Sequence, residues 1–275
     1  MKKLIRKHPV IIAVVFIVSL VLVTFIPLSF PFNGILVRLI LCAILIFYLY
    51  KNDMLNILSF NLSRFKHGLV SGILFFLFAI WVTALNIYAL SRDGELHFSI
   101  AFWTFCLQMI MIGVFEELCF RGLFINMYIK HHEKVKNTIY KAVLVTSAVF
   151  GLCHYINLIN QPIIMTTAQV YGAFCLGVLF AAVYLKGLNI WVCAFFHALW
   201  NFGNMCSFYH PDRNVEMYGL TTEMSLSQLA FEMIEPTIFL IIGVFILRNI
   251  HKEKYLTAIF AVSKNDEKAI HSRSR

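Results

Sequence analysis

Charged residues are scarce in this 275-residue chain: Asp, Glu, Lys and Arg together supply 13% of it. Hydrophobic residues supply 60%, and mean hydropathy is +0.78. That balance excludes an ordinary soluble domain, where roughly a quarter of residues are charged. No Cys-x-x-Cys pair occurs among the seven cysteines, all of which fall in or beside apolar stretches. They read as small hydrophobes, with neither a disulfide framework nor a thiolate metal site expected. Gly-x-Ser-x-Gly, His-Glu-x-x-His and Gly-x-Gly-Asp are also missing, which argues against serine hydrolases, zincins of that type and presenilin-like aspartyl proteases. No internal repeat is visible, and low complexity is confined to a polar tail over 263–275, expected to be disordered.

What the chain does have is length in its apolar runs. Eight stand out, near residues 9–30, 34–50, 67–90, 98–129, 138–156, 168–185, 188–205 and 234–250. Each approaches or exceeds the ~20 residues that a helix needs to cross a bilayer. The expected fold is all-α, a polytopic membrane bundle of about eight transmembrane helices over 1–262, with a catalytic core near 98–205. The fourth run is too long to stand upright and must tilt or protrude. The basic N-terminal run before the first apolar stretch imitates a signal peptide, but no Ala-x-Ala site follows, so an uncleaved first helix is expected.

Both termini are expected to be cytoplasmic. With that orientation 19 of the 23 Lys and Arg face inward, while Arg38, Arg92 and Arg213 fall outside and Arg121 lies within the membrane. Asp93, Glu95, Asp212, Glu216, Glu223 and Glu232 gather on the outer side. The net charge of +9 then follows from topology and attraction to anionic inner-leaflet lipid, and requires no nucleic acid. Ala173, Gly177 and Ala181, like Gly68 and Gly72, form small-residue ridges for close helix packing. The connection over 207–235 has room for a short surface helix.

Against this background two adjacent acids, Glu116 and Glu117, interrupt the fourth run. A carboxylate at membrane depth costs several kcal/mol, about 3 on insertion scales, and persists only with a partner or a task. Arg121 follows Glu117 by one turn on the same face and can neutralise it. Glu116 is offset by about 100° and has no partner nearby in sequence. One acid reads as braced and its neighbour as free to react.

The remaining ionisable residues assigned to spans are His154 and His197, the second followed one turn later by Asn201. Counted at 1.5 Å per residue from the flanking cytoplasmic lysines, Glu116, His154, His197 and Asn201 lie at roughly 21, 20, 16 and 22 Å. Three helices thus bring polar groups to one level, and convergence on one site is expected. A carboxylate and an imidazole sharing a water can activate it toward a carbonyl, and a second imidazole with an amide can hold the oxyanion. Zinc held by Glu116, His154 and His197 is an alternative. Against it, neither histidine shows an evident supporting carboxylate, and Asn201 suits an oxyanion better than a metal. A lone buried histidine or an acid–arginine pair is usually structural; the common depth raises the functional reading.

Glu116-Glu117-x-x-x-Arg121, Phe150-x-x-x-His154 and His197-x-x-x-Asn201 stand in the order found in the CPBP family of CAAX-protease and bacteriocin-processing enzymes, also called Abi, which this chain resembles over about 98–205. The resemblance implies an intramembrane endopeptidase in which Glu116 and His154 activate water, His197 and Asn201 form the oxyanion hole, and Glu117 and Arg121 brace the site. The family has been described both as metallo- and as glutamate-type; the metal-free chemistry is favoured here, with no cofactor. It further implies a peptide or membrane-tethered protein substrate, in a bacterial plasma membrane and in roles such as bacteriocin self-immunity or peptide maturation. Nothing in the chain identifies a prenylated substrate. Two other readings compete: a proton-coupled transporter, which would favour helices broken near the acids, and a catalytically silent scaffold, which has no use for Glu116 in hydrocarbon.

Overall fold

The computed structural model describes residues 33–159, 161–206, 226–248 and 250, with positions 15, 17–19 and 22. Its regular structure is helical throughout these residues. Helix α1 spans Asn33–Lys51, α2 Leu62–Ser71, α3 Ile73–Arg92 and α4 Ile100–Glu117. A π-helical turn, Leu118–Phe124, joins α4 to α5, Ile125–His131. Then follow α6 (Thr138–Cys153), a 3-10 turn (His154–Ile159), α7 (Ile163–Gly187), α8 (Ile190–Met205), α9 (Leu226–Glu232) and α10 (Ile234–Leu247).

Six described stretches are long and apolar enough to cross a membrane: Gly34–Lys51, Ile73–Arg92, Ile100–His131, Thr138–Ile159, Ile163–Gly187 and Ser227–Leu247. The protein is therefore a multi-pass membrane bundle. Of the eight expected segments, the run at 9–30 lies largely outside the described residues, as do both termini and the tail at 263–275. The run at 188–205 forms α8, whose 16 residues fall short of a full crossing. The segment expected at 67–90 is two helices, because the chain turns at Gly72 between α2 and α3. The overlong fourth run is indeed 32 residues from Ile100 to His131, and it contains the π turn.

The surface is inverted relative to a soluble protein: Leu74, Tyr88, Ile100 and Phe245 are all exposed. Such a surface is stable only against lipid. Packing within the bundle runs through close backbone approaches around α7, the most enclosed of the six spans. A Cβ on Gly177 would meet Ser147 of α6 at 2.9 Å, and one on Gly243 of α10 would meet the Leu179 backbone at 2.9 Å. The turn between α7 and α8 is only two residues long, with Leu188 in the left-handed region at φ 51°. Asn189 then caps α8, accepting hydrogen bonds from the backbone of Trp191 and Val192 at 2.9 and 3.3 Å. This cap fixes where α8 begins, and hence how far along it His197 lies.

Candidate active site

At Gly113 α4 and α8 lie backbone to backbone. A Cβ there would stand 2.9 Å from both the Ala194 carbonyl oxygen and the Ala198 nitrogen. The missing side chain lets the two backbones meet, so that the acids one turn further along α4 face His197 of α8. Glu117 is fully buried. Its Oε1 accepts from Arg121 Nη1 and stands 2.9 Å from His197 Nδ1, each contact at the same distance. Arg121 in turn donates through Nη2 to the Gly177 carbonyl at 3.0 Å, and its guanidinium lies over the rings of Phe150 and Phe180 at 5.0 and 5.6 Å. Charge, hydrogen bonds and aromatic faces are thus used together to hold one carboxylate in an apolar setting.

Glu116 stands differently. Its side chain retains 21% exposure, although its Oε2, like that of Glu117, is buried without a hydrogen bond inside the protein. The nearest basic atom is His197 Nε2, 3.5 Å away. His197 therefore bridges the two acids, Nδ1 on Glu117 and Nε2 toward Glu116. A carboxylate at Nδ1 assigns the proton there, so the state of Nε2 decides what the ring can do. His154 is oriented in a comparable way by backbone: its Nδ1 lies 2.9 Å from the Phe150 carbonyl oxygen, leaving Nε2 as its second ring nitrogen. The Phe150 ring stands edge-on to both imidazoles, 5.0 Å from His154 and 6.0 Å from His197.

Glu116, His154, His197 and Asn201 line one cavity of about 110 Å³, with Ile112, Phe115, Phe120, Asn157 and Gln169 among its other walls. At ~30 Å³ per water it has room for a few water molecules. Asn157 and Gln169 join across the wall through a 2.8 Å hydrogen bond. A second cavity of about 190 Å³ shares His154, His197 and Asn201 with the first and is walled also by Ala173, Leu176, Trp200, Pro236 and Phe239. Glu117 and Arg121 line neither cavity; they sit behind His197.

The π turn is pinned by a buried amide. Asn126 Nδ2 donates to the carbonyl oxygens of Arg121 at 2.6 Å and Gly122 at 2.9 Å, and lies 2.9 Å from the Tyr184 hydroxyl on α7. A π turn widens the i→i−4 ladder, and such turns gather at functional sites. Here it immediately follows the two acids.

Three sequence expectations need correction. Arg38, assigned to an outer loop, lies inside α1 and lines the same cavity as Glu116, so the intramembrane ionisable set is larger than first drawn. Glu235, taken as the end of a loop, lies within α10 and the span that includes it. The histidines do have supporting acceptors, Glu117 for His197 and the Phe150 carbonyl for His154, so the missing-support argument against zinc falls away. The donor geometry is a separate matter: among the described residues no three His, Cys, Asp or Glu side chains are gathered closely enough to hold one ion.

No curated protein matches the chain. All six residues of the acid–histidine–asparagine set fall within the segment that carries the family resemblance. Residues 98–203 match the model of the family described as Type II CAAX prenyl endopeptidase Rce1-like, the membrane-protease family to which the three sequence motifs had pointed.

Proposed function

We propose that the protein is an intramembrane endopeptidase that hydrolyses a peptide bond with a water activated by Glu116 and His154, acting on a peptide or membrane-tethered protein tail in a bacterial plasma membrane. The observation that carries this reading is the contrast between the acids. Glu117 is fully buried, is held by Arg121 and His197 and lines neither cavity, whereas Glu116 keeps 21% exposure and lines a cavity shared with His154, His197 and Asn201.

A donor role for His197 requires a proton on Nε2 as well as on the Nδ1 that faces Glu117. Nε2–H and the Asn201 amide are then two donors on one helix for an oxyanion. In the reaction, Glu116 takes a proton from water, assisted by His154, as the water oxygen attacks the carbonyl carbon. The tetrahedral oxyanion rests against His197 and Asn201. Collapse breaks the C–N bond, and the leaving amine takes the proton from Glu116.

The test compares cell-associated and secreted peptides by mass spectrometry between cells making wild type and Glu116→Gln at equal membrane abundance. The reading expects peptides with new termini that vanish in the variant. Identical peptidomes contradict it and favour a scaffold or transporter.

A further inference from the structure

The candidate site is off-centre in the bundle. Arg38, a wall of the first cavity, is five residues from the start of α1, and Gln169 is six from the start of α7. Met205 is the last residue of α8, while Cys153, His154 and Asn157 stand at the end of α6 and in the 3-10 turn beyond it. Pro236 and Phe239 of the second cavity fall in the first half of α10. At 1.5 Å per residue, Gln169 is about 9 Å from one end of α7 and about 27 Å from the other. Glu116 keeps 21% exposure, and Cys153, His154 and Ile156 are half-buried, so this end of the cavity reaches the surface.

The opposite end is packed through. Every residue from Arg121 to Asn126 is buried, and none of them walls either cavity. Tyr184 and Leu185 of α7 and Ala142 and Val143 of α6 are buried at the same end. A Cβ on Gly187 would stand 2.8 Å from the Cα of Gly68, so α2 and α7 meet there backbone to backbone. The two ends also differ in charge. Lys51, Arg64, Lys130, Lys141, Lys186 and Arg248 sit at the packed end, where α1, α5, α7 and α10 finish and α2 and α6 begin. At the cavity end, among the described residues, stand Arg38, on the cavity wall, and Arg92, paired with Asp93 at 2.8 Å.

Connections rich in Lys and Arg stay on the cytoplasmic side, which makes the packed end the inner one. We propose that the cavity is served from the outer face of the membrane, and that its substrate is an exported chain: a secreted peptide or the outer juxtamembrane segment of a membrane protein, not a cytoplasmic tail. This rests on reading the cavity as a peptidase site. A chain arriving from outside meets the turn after α6 before it meets the acids. One arriving from the cytoplasm would have to part α2 from α7 or cross the layer that holds Glu117 and Arg121.

Access is tested with the native thiol of Cys153, which lines the cavity. Full-length protein, in right-side-out and in inverted membrane vesicles, is treated with a sulfonated maleimide, whose charge keeps it from crossing the bilayer. Modification of the Cys153 peptide is followed by mass spectrometry, with Ser91→Cys as an outer marker and Lys136→Cys as an inner one, both at exposed positions. The proposal expects Cys153 to react several-fold faster in right-side-out vesicles, in step with Ser91→Cys. Ile156→Cys in a Cys153→Ser chain supplies a second reporter on the same wall. Equal or faster reaction of the reporters in inverted vesicles, or silence of both from outside while Ser91→Cys reacts, overturns the proposal. So does labelling of Ser91→Cys from the inner side. The cellular peptide comparison adds the substrate: termini that depend on Glu116 should map to exported sequence, and termini in cytoplasmic tails contradict the proposal. Outer labelling without any Glu116-dependent peptide would bear out the access route and sink the peptidase reading alone.

Discussion

Two carboxylates one residue apart occupy opposite environments. On the Glu117 side of α4 there is full burial, a 2.9 Å bond to Arg121, a 2.9 Å contact with His197, and an arginine that lies over the rings of Phe150 and Phe180, with Oε2 left without a hydrogen bond. On the Glu116 side there is a cavity and a 3.5 Å approach to the same histidine. The helical offset of about 100° between neighbours is enough to put one acid in the framework and the other on a cavity wall. His197 links the two, with Nδ1 on Glu117 and Nε2 toward Glu116.

The contrast can be broken at four points. Glu117→Gln removes a buried charge and leaves Arg121 uncompensated, which costs roughly 3–5 kcal/mol of stability. Thermal unfolding of detergent-solubilised protein reads it, and an unchanged midpoint would show that Glu117 is not structural. Asn201→Ala should lower cleavage by about 10²–10³ while leaving the unfolding midpoint near wild type, as for loss of one oxyanion donor. A parallel fall in both would assign Asn201 to packing. Gly113→Ala pushes a methyl group into the α8 backbone, and overpacking of this kind costs about 1–3 kcal/mol. Because the shift separates α4 from α8, cleavage should fall further than stability alone explains. Tyr184→Phe, which removes only a hydroxyl from the Asn126 network, should cost about 1 kcal/mol and change activity little.

The sequence made the helical membrane bundle and the polar set legible because both are written locally. Apolar runs have a length, and acids in such runs are conspicuous. The contact between Glu117 and His197 was not legible, since 80 residues separate them and it depends on how α4 packs on α8. Arg38 was misplaced because counting cations by loop treats a residue near a span end as topology and ignores which wall it faces. The π turn at Leu118–Phe124 leaves no mark in composition, and the part played by Phe150, whose carbonyl meets His154 and whose ring stands against both histidines, appears only in the folded chain.

The most direct measurement sets the neighbours side by side: cleavage rate and unfolding midpoint for Glu116→Gln and Glu117→Gln, purified and reconstituted in liposomes, on a peptide identified by the cellular comparison. The account predicts that Glu116→Gln keeps the wild-type midpoint and loses about 10²–10⁴ in rate, the span of general acid–base catalysis, whereas Glu117→Gln loses stability first. A Glu116→Gln protein that cleaves at the wild-type rate, or that unfolds as readily as Glu117→Gln, would contradict it.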